Sequence, residues 1–348
     1  MITRSAQTVH TNSINIQQKN TQSWQEILSQ AVTKPDELLK ILGLSTDLLP
    51  GAIAGSEQFQ MRVPHTYIAR MERGNPDDPL LRQVLPLGIE LDEVPGFSVD
   101  PLGEQPKNSH RGILHKYHGR LLLIPGQLCG VNCRFCFRRH FPYADNKLNK
   151  DEWQSAFDYI RNDSSLTEII LSGGDPLSQN DQRLRWVVEE LSQIPHLKRL
   201  RIHTRMPIVI PQRITDEMID WLTATHLQPI VVVHCNHPDE IDNNVVHALN
   251  KLRSSNVQLL NQSTLLKGVN NSADVLAELS EKLFNNGVMP YYLHLLDRVQ
   301  GAAHFEISEQ EAQTIMGKMS QLCAGYLVPR LARESAGEYS KTVIPPIY

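Results

Sequence analysis

The sequence predicts an α/β protein built on a full or partial barrel of parallel strands. From about residue 120 onward, short apolar runs alternate with amphipathic helical stretches. Such alternation is typical of parallel βα units, and six or seven units are enough for a full or partial barrel. Polar and charged residues fall just after the apolar runs, which is where a barrel places its active site.

Composition narrows the class of protein. The chain has 348 residues, 41% of them hydrophobic, enough for one large domain or one with a small cap. A net charge of −4 gives no electrostatic reason to expect a nucleic-acid or membrane partner. The first residues lack a signal-like apolar run, and no stretch approaches the roughly 20 apolar residues of a membrane span. Five cysteines, three of them clustered, fit a reducing compartment, so we expect a cytoplasmic protein.

The N-terminal third predicts helices and loop before the regular pattern begins. Residues 1–20 are polar and predict an irregular, frayed terminus. Apolar stripes predict helix over residues 22–43, with Gly43 as a stop. A second helix is predicted over 57–72, interrupted at Pro64. Residues 74–110, rich in Pro, Gly and Asp, predict an ordered surface loop.

The remaining elements follow from apolar runs and helical periodicity. Strands are predicted at 121–124, 168–171, 200–203, 230–234, 257–260, 291–296 and 327–331. Helices are predicted at 181–191, 214–222, 238–252, 273–284 and 308–322.

A cysteine-rich loop follows the first of these strands. Cys129, Cys133 and Cys136 are spaced Cys-x3-Cys-x2-Cys. Three thiolates on a four-iron four-sulfur cluster leave one iron open to a substrate or cofactor. Zinc held by the three cysteines and His140 is the alternative. A disulfide framework is disfavoured because three cysteines leave one over.

Two further groups of residues stand at strand ends. The turn Ser172-Gly173-Gly174-Asp175-Pro176 follows the run EIIL, and paired glycines let a ligand approach the backbone closely. A simple tight turn explains the same residues equally well. His234 and Gln262 end two later strands, and a core histidine is the alternative for His234.

The cysteine spacing, with Phe135 before the last cysteine, resembles the radical S-adenosylmethionine (SAM) superfamily. The resemblance implies that the open iron binds SAM, which the reduced cluster cleaves to a 5′-deoxyadenosyl radical. It also implies that Gly173, Gly174 and Asp175 contact SAM and that His234 and Gln262 reach its nucleoside. The implied fold is a partial (β/α)6-type barrel (106–325), with an N-terminal helical extension (1–105) and a short C-terminal segment (326–348) closing the site.

Longer runs resemble the lysine 2,3-aminomutase family within that superfamily. They extend from about residue 64 to the end and include HKYHGRLLL, RMPIVIPQRIT, HCNHPDEI, NQSTLLKGVN, MPYYLHLLD and VPRLARESAGEYSKT. The resemblance implies that Lys341 carries pyridoxal 5′-phosphate (PLP) as a Schiff base. An imine to PLP gives the migrating nitrogen a π system into which a radical can close.

The same resemblance implies roles for other charged residues. Arg138 would bind the substrate carboxylate with a planar guanidinium fork, although a solvated loop arginine is the alternative, as for Arg134 and Arg139. Asp297 and Glu334 would hold the ε-ammonium of lysine, since a buried ammonium needs compensating carboxylates. Positions near the PLP phosphate are implied for Lys116, Tyr117 and Arg120, with an ordinary basic surface as the alternative.

The chain departs from the family pattern at its end. Family members carry aspartate where this chain has Glu334, and the chain stops seven residues after Lys341, which puts the family's tetrameric assembly in question. This ending resembles the branch that makes (R)-β-lysine from free L-lysine for elongation factor P, to which a separate ligase attaches it. An electron-donor protein is implied as a partner. The alternatives are a general lysine 2,3-aminomutase for β-lysine metabolism, an enzyme for ornithine or arginine, and a non-catalytic zinc protein.

Overall fold

The computed structural model describes residues 22–104, 111–142 and 148–348. In this part of the chain, nine strands form one sheet whose spatial order is the order of the sequence. Strands β2 to β8 are parallel, and β1 and β9 are antiparallel edge strands that do not pair with each other. The sheet is therefore an open, partial barrel, as predicted. The strands are β1 (Ile113–Tyr117), β2 (Arg120–Leu123), β3 (Glu168–Leu171), β4 (Arg199–Thr204), β5 (Gln228–Val233), β6 (Gln258–Thr264), β7 (Met289–His294), β8 (Arg330–Arg333) and β9 (Thr342–Val343).

Helices precede the sheet and connect its parallel strands. In the described part of the chain, five α-helices precede the sheet: α1 (Trp24–Ser29), α2 (Pro35–Leu42), α3 (Leu49–Gln58), α4 (His65–Ile68) and α5 (Pro79–Arg82). Seven further described helices lie between β2 and β8: α6 (Lys150–Asn162), α7 (Asp181–Ser192), α8 (Met206–Val209), α9 (Asp216–Thr223), α10 (Asn243–Ser254), α11 (Ala273–Asn285) and α12 (Glu309–Leu322). Among the described residues, none of the helices is long and apolar enough to cross a bilayer.

The strands separate an apolar face from a polar face. On β4, Leu200 and Ile202 are buried in the same apolar cluster as residues of α7. The alternate residues Arg201 and His203 remain partly exposed on the opposite face. This alternation covers the outside of the barrel with helices and leaves polar groups facing its interior.

The helical extension differs from its prediction. Residues 22–43 form two helices, α1 and α2, because Val32 leaves the helical path and pairs with Val63 in an isolated bridge. The helix predicted over 57–72 is wrong except at α4, which begins directly after Pro64. The predicted loop from 74 contains α5 and a 3-10 turn at Gly88–Leu91. The predictions for residues 1–20 and 105–110 lie outside the described residues.

Within the described residues, five other elements were not predicted, namely β1, α3, α6, α8 and β9. β1 pairs antiparallel with β2 through Ile113 and Leu123. Helix α6 buries Trp153, Phe157 and Ile160, a spacing that is visible in the sequence. β9 returns along β8 and forms a hairpin at the end of the barrel.

Candidate functional site

The cysteine loop places three thiols beside one another. Cys129, Cys133 and Cys136 are free and partly exposed. The amide of Cys136 donates to the Cys133 carbonyl over 3.1 Å, so the last two cysteines share a tight turn. Burial, together with the neighbouring Cys133 thiol, raises the pKa of the Cys136 thiol to about 11. Burial and then the Cys136 thiol raise the pKa of Cys129. Metal binding here must therefore displace protons.

The ligand set does not fit a single zinc ion. In the described ranges, no three His, Cys, Asp or Glu side chains are gathered closely enough to hold one metal ion. The ring Nε2 of His140 lies 3.2 Å from the Gln300 carbonyl oxygen, so it already has a partner. Three thiolates on one short loop suit a four-iron four-sulfur cluster with one open iron better than a structural zinc site, which takes four protein ligands.

Buried ion pairs fix the cysteine loop to the helical extension. Glu90 accepts from Arg134 at 2.6 Å and from Arg139 at 2.8 Å, and all three side chains are fully buried. Arg134 also donates to the carbonyl of Phe59. The interpretation of Arg134 and Arg139 as solvated loop arginines is therefore wrong. No pattern in the sequence indicates that Glu90 lies opposite them.

The double-glycine turn packs against the start of the cysteine loop. A Cβ at Gly174 would lie 2.7 Å from the Gln127 carbonyl, so only glycine fits there. The Asp175 carboxylate accepts from Thr204 Oγ1 and from the amides of Leu177, Arg205 and Met206. This carboxylate therefore ties the turn to the end of β4. The partly exposed member of the turn is Gly173.

A chain of charged groups leads away from the cysteine loop. Arg138 donates to both oxygens of Glu104, at 2.7 and 2.9 Å. Lys116 donates to Glu104 at 2.9 Å and to Glu334 at 3.3 Å. Tyr117 donates to Glu334 at 3.1 Å, and Lys341 also donates to this carboxylate. Arg138, Lys116, Tyr117, Glu334 and Lys341, all predicted from the sequence, are thus brought together through Glu104, which the sequence analysis missed.

The β8–β9 hairpin positions the last two members of this chain. Arg333 pairs with Thr342, so Glu334 and Lys341 occupy the next opposed positions. Burial alone would raise the pKa of the Glu334 carboxyl, but Lys341 and then Lys116 lower it to about 2. Burial likewise opposes ionisation of Glu104, while Arg138 and Lys116 lower its pKa to about 2. Both carboxylates are therefore charged at neutral pH.

Asp297 lies beside these charged groups, and the pKa of its carboxyl is shifted in the opposite direction from those of Glu104 and Glu334. It follows β7, and its side chain has no hydrogen-bond partner within the described part of the protein. Burial and the nearby Glu334 raise its pKa to about 7, against a lowering by Lys341. A cationic ligand would favour the ionised form of this carboxyl.

Histidines line the inner face near Lys341 and the cysteine loop. His234 stacks on Phe135 with ring centroids 5.7 Å apart, and its buried Nε2 has no partner among described residues. Burial and then Arg205 lower the pKa of His234 to about 3. Burial and Lys341 lower the pKa of His294 to about 3, and burial followed by Arg201 and Lys341 lowers that of His203. His203 and His294 were missed, although His203 ends the strand predicted at 200–203 and His294 lies within the strand predicted at 291–296.

The remaining predicted residues occupy the inner face of the sheet. Gln262 on β6 is partly exposed and pairs in register with Tyr292. The guanidinium of Arg120 lies 4.6 Å from the centre of the Tyr117 ring. Arg120 pairs in register with Glu168 on the neighbouring strand.

Known proteins resemble this chain over most of its length. Residues 123–279 match the family model of the radical SAM superfamily. The chain is 53% identical over 322 residues to the L-lysine 2,3-aminomutase of Haemophilus influenzae, covering 92% of this chain and 95% of the relative. It is 53% identical over 323 residues to that of Escherichia coli K12, covering 92% and 94%. It is 32% identical over 327 residues to that of Clostridium subterminale, covering 93% and 78%.

Proposed function

The chain belongs to the lysine 2,3-aminomutase family of radical SAM enzymes, and on that premise we propose that it converts free L-lysine to (R)-β-lysine. The observation that supports this most directly is the continuous set of contacts from the cysteine loop to Lys341. Arg138, two residues after Cys136, reaches Lys341 through Glu104, Lys116 and Glu334. A radical source and an imine-forming amine must serve one cavity for this reaction, and these contacts join their sites.

Cys129, Cys133 and Cys136 would hold the four-iron four-sulfur cluster. When bound, the cluster and SAM supply a 5′-deoxyadenosyl radical. The close packing of Gly174 on the loop leaves Gly173 at the surface of this turn, where a ligand can approach. The stacked, neutral His234 and the inward-facing Gln262 offer hydrogen-bonding groups on the same side, while Asp175 holds the turn in place. These are the residues we assign to SAM.

Lys341 would hold PLP. When bound, PLP supplies a π system conjugated to the substrate nitrogen. The Glu334 carboxylate forms an ion pair with the Lys341 amine and orients it. Lys116, Tyr117 and Arg120 lie on the adjacent first two strands and supply the cations and hydroxyl we assign to the phosphate.

The charges of three site residues indicate which group of the substrate each would bind. Arg138 is 7% exposed, and Glu104 binds the Nε–Nη2 edge of its guanidinium at two points. This pairing demonstrates that the guanidinium accommodates a carboxylate, and the substrate carboxylate would replace Glu104 there. Asp297 has no partner in the described regions and offers its carboxyl to an ε-ammonium. Glu334 is the second acid within the same electrostatic environment. Two acids at this end favour a cationic side chain over an apolar one.

The proposed pathway rests on the sequence resemblance to the elongation factor P branch of the family. We propose that the product serves modification of elongation factor P through a separate ligase, in the cytoplasm, with an electron-donor protein as reductant. We also propose that segments 1–105, 106–325 and 326–348 act as extension, barrel core and PLP-lysine segment. Loss of β-lysylated elongation factor P on gene deletion would support this branch, and unchanged modification would favour general β-lysine metabolism.

The direct test is anaerobic incubation with L-lysine, SAM, PLP and dithionite, followed by chiral analysis of the products. We expect (R)-β-lysine. The (S) product would contradict the pathway, and turnover of ornithine or arginine in preference to lysine would contradict the substrate. Zinc without iron or sulfide in anaerobically prepared protein would contradict the cofactor.

Removing the Lys341 amine should abolish the function of the PLP site and leave the cluster site intact. Lys341→Ala is expected to abolish turnover, by more than about a thousandfold, because the amine is the point of covalent attachment. Iron and sulfide contents should remain those of the wild type. Lys251→Ala, which removes a lysine paired with Asp216 on the helical surface, is the matched control and should retain full activity.

A further inference from the structure

A buried arginine outside the proposed substrate site donates to one of the loop sulfurs. Arg205, directly after β4, is 6% exposed, and its Nη1 lies 2.8 Å from the Sγ of Cys133. Its guanidinium also lies 5.8 Å from the centre of the Phe135 ring, within the cysteine loop. We infer that Arg205 is a positioning residue that sets the reduction potential of the cluster through its hydrogen bond to the Cys133 sulfur.

The surroundings of Arg205 hold this donor in one orientation. Nη2 lies 2.6 Å from Gln83 Oε1, 2.9 Å from Glu240 Oε2 and 3.1 Å from the Tyr67 hydroxyl. The amide of Arg205 donates to Asp175 over 2.6 Å. With one terminal nitrogen and the backbone both fixed, the other terminal nitrogen stays directed at Cys133.

The carboxylate of Glu240 balances the charge of Arg205 among these described contacts. Glu240 is fully buried, and its other oxygen accepts from the amides of Asn236 and His237 and from Gln83. These neutral donors position the carboxylate without altering the net charge. Substitution of Glu240 therefore changes the charge beside Cys133 while leaving the arginine in place.

The physical effect on a cluster follows from charge. Reduction adds one electron to the cluster and its thiolates, so a cationic donor at a sulfur stabilises the reduced state more than the oxidised state. Hydrogen bonds to the cluster sulfurs, and the groups that hold those donors in place, are known determinants of the reduction potential. The inference relies on the cluster proposed above and is independent of which amino acid is the substrate.

The test is an anaerobic redox titration with dithionite, followed by electron paramagnetic resonance, without SAM or lysine. Arg205→Gln should lower the midpoint potential by at least about 59 mV, a tenfold change in the reduced-to-oxidised ratio for one electron. Arg205→Lys, which keeps the charge, should recover part of this shift. Glu240→Gln should move the potential in the opposite direction, because the arginine loses its counter-charge.

Tyr67→Phe is the matched control, since it removes a contact to the same guanidinium without touching the sulfur, and it should leave the potential unchanged. Arg205→Gln with full iron and sulfide but a wild-type potential would overturn the inference. If that variant loses its iron, Glu240→Gln decides, and a downward or absent shift overturns it. Wild-type protein that holds no four-iron cluster would instead refute the proposed cofactor.

Discussion

At the scale of single residues, we expect Asp297 to make lysine binding depend on pH. Its pKa of about 7 means that the ligand-free carboxyl is mostly neutral at pH 6 and mostly ionised at pH 8. An ammonium ligand requires the ionised form, so binding must release this proton. We expect the apparent dissociation constant for L-lysine to rise about tenfold from pH 8 to pH 6. Equilibrium binding to the cofactor-loaded enzyme across this range checks the expectation.

The controls isolate the carboxyl from other titrating groups. Norleucine has the same backbone groups and no ε-ammonium, so its affinity should not share this pH dependence. Asp297→Asn should weaken lysine binding and flatten the difference between the two ligands. A slope that persists in Asp297→Asn would assign the titration to another group.

Residues named by a motif were predictable from the sequence, and their partners were not. Cys129, Cys133, Cys136 and Lys341 stood out through spacing or resemblance. Glu104 and Glu90 are single acids in a loop, and only the folded chain brings them to Arg138 and to Arg134. The burial of Arg134 likewise depends on a pairing across 44 positions, which no local pattern encodes.

At the scale of elements, the helical extension acts as a clamp on the cysteine loop. Besides the Glu90 ion pairs, the amide of Arg134 donates to the Gln83 carbonyl, and Asn132 donates to the carbonyls of Arg62 and Gln60. Local sequence patterns predicted the barrel strands well because each strand places apolar side chains at its buried positions. They failed for 57–72 because Val63 pairs with Val32, a tertiary contact that overrides helical propensity.

Breaking this clamp should cost both stability and iron. Glu90→Gln leaves two buried guanidinium groups without their counter-charge, which is expected to destabilise the protein by about 3–5 kcal/mol. Denaturant unfolding and iron analysis are the measurements. Glu306→Gln breaks an exposed pair with Arg298 and should cost about 0–1 kcal/mol without loss of iron. Equal effects of the two substitutions would contradict the clamp.

At the scale of the whole molecule, side chains span the gap between the first strand of the open sheet and its last hairpin. Lys116 and Tyr117 on β1 reach Glu334, which follows β8. Periodicity predicted parallel units and left the choice between a full and a partial barrel open, while the family resemblance implied the partial barrel that is observed. The hairpin that carries Lys341 is also held by α12, where the side-chain amide of Gln313 donates to the Pro345 carbonyl. Gln313 is not one of the site residues.

That anchor predicts a distant effect on the PLP site. A Cβ at Gly317 on α12 would lie 1.9 Å from the Ile347 carbonyl oxygen, so Gly317→Ala must push the C-terminal segment away from the helix. In an exposed helix the same change would stabilise by about 1 kcal/mol, whereas overpacking here is expected to cost about 1–3 kcal/mol. Because Lys341 lies on the displaced segment, PLP affinity should fall severalfold while iron content stays unchanged. Gly325→Ala, which meets nothing within 4 Å, is the matched control for PLP titration, and an equal loss there would show that the tail does not couple α12 to Lys341.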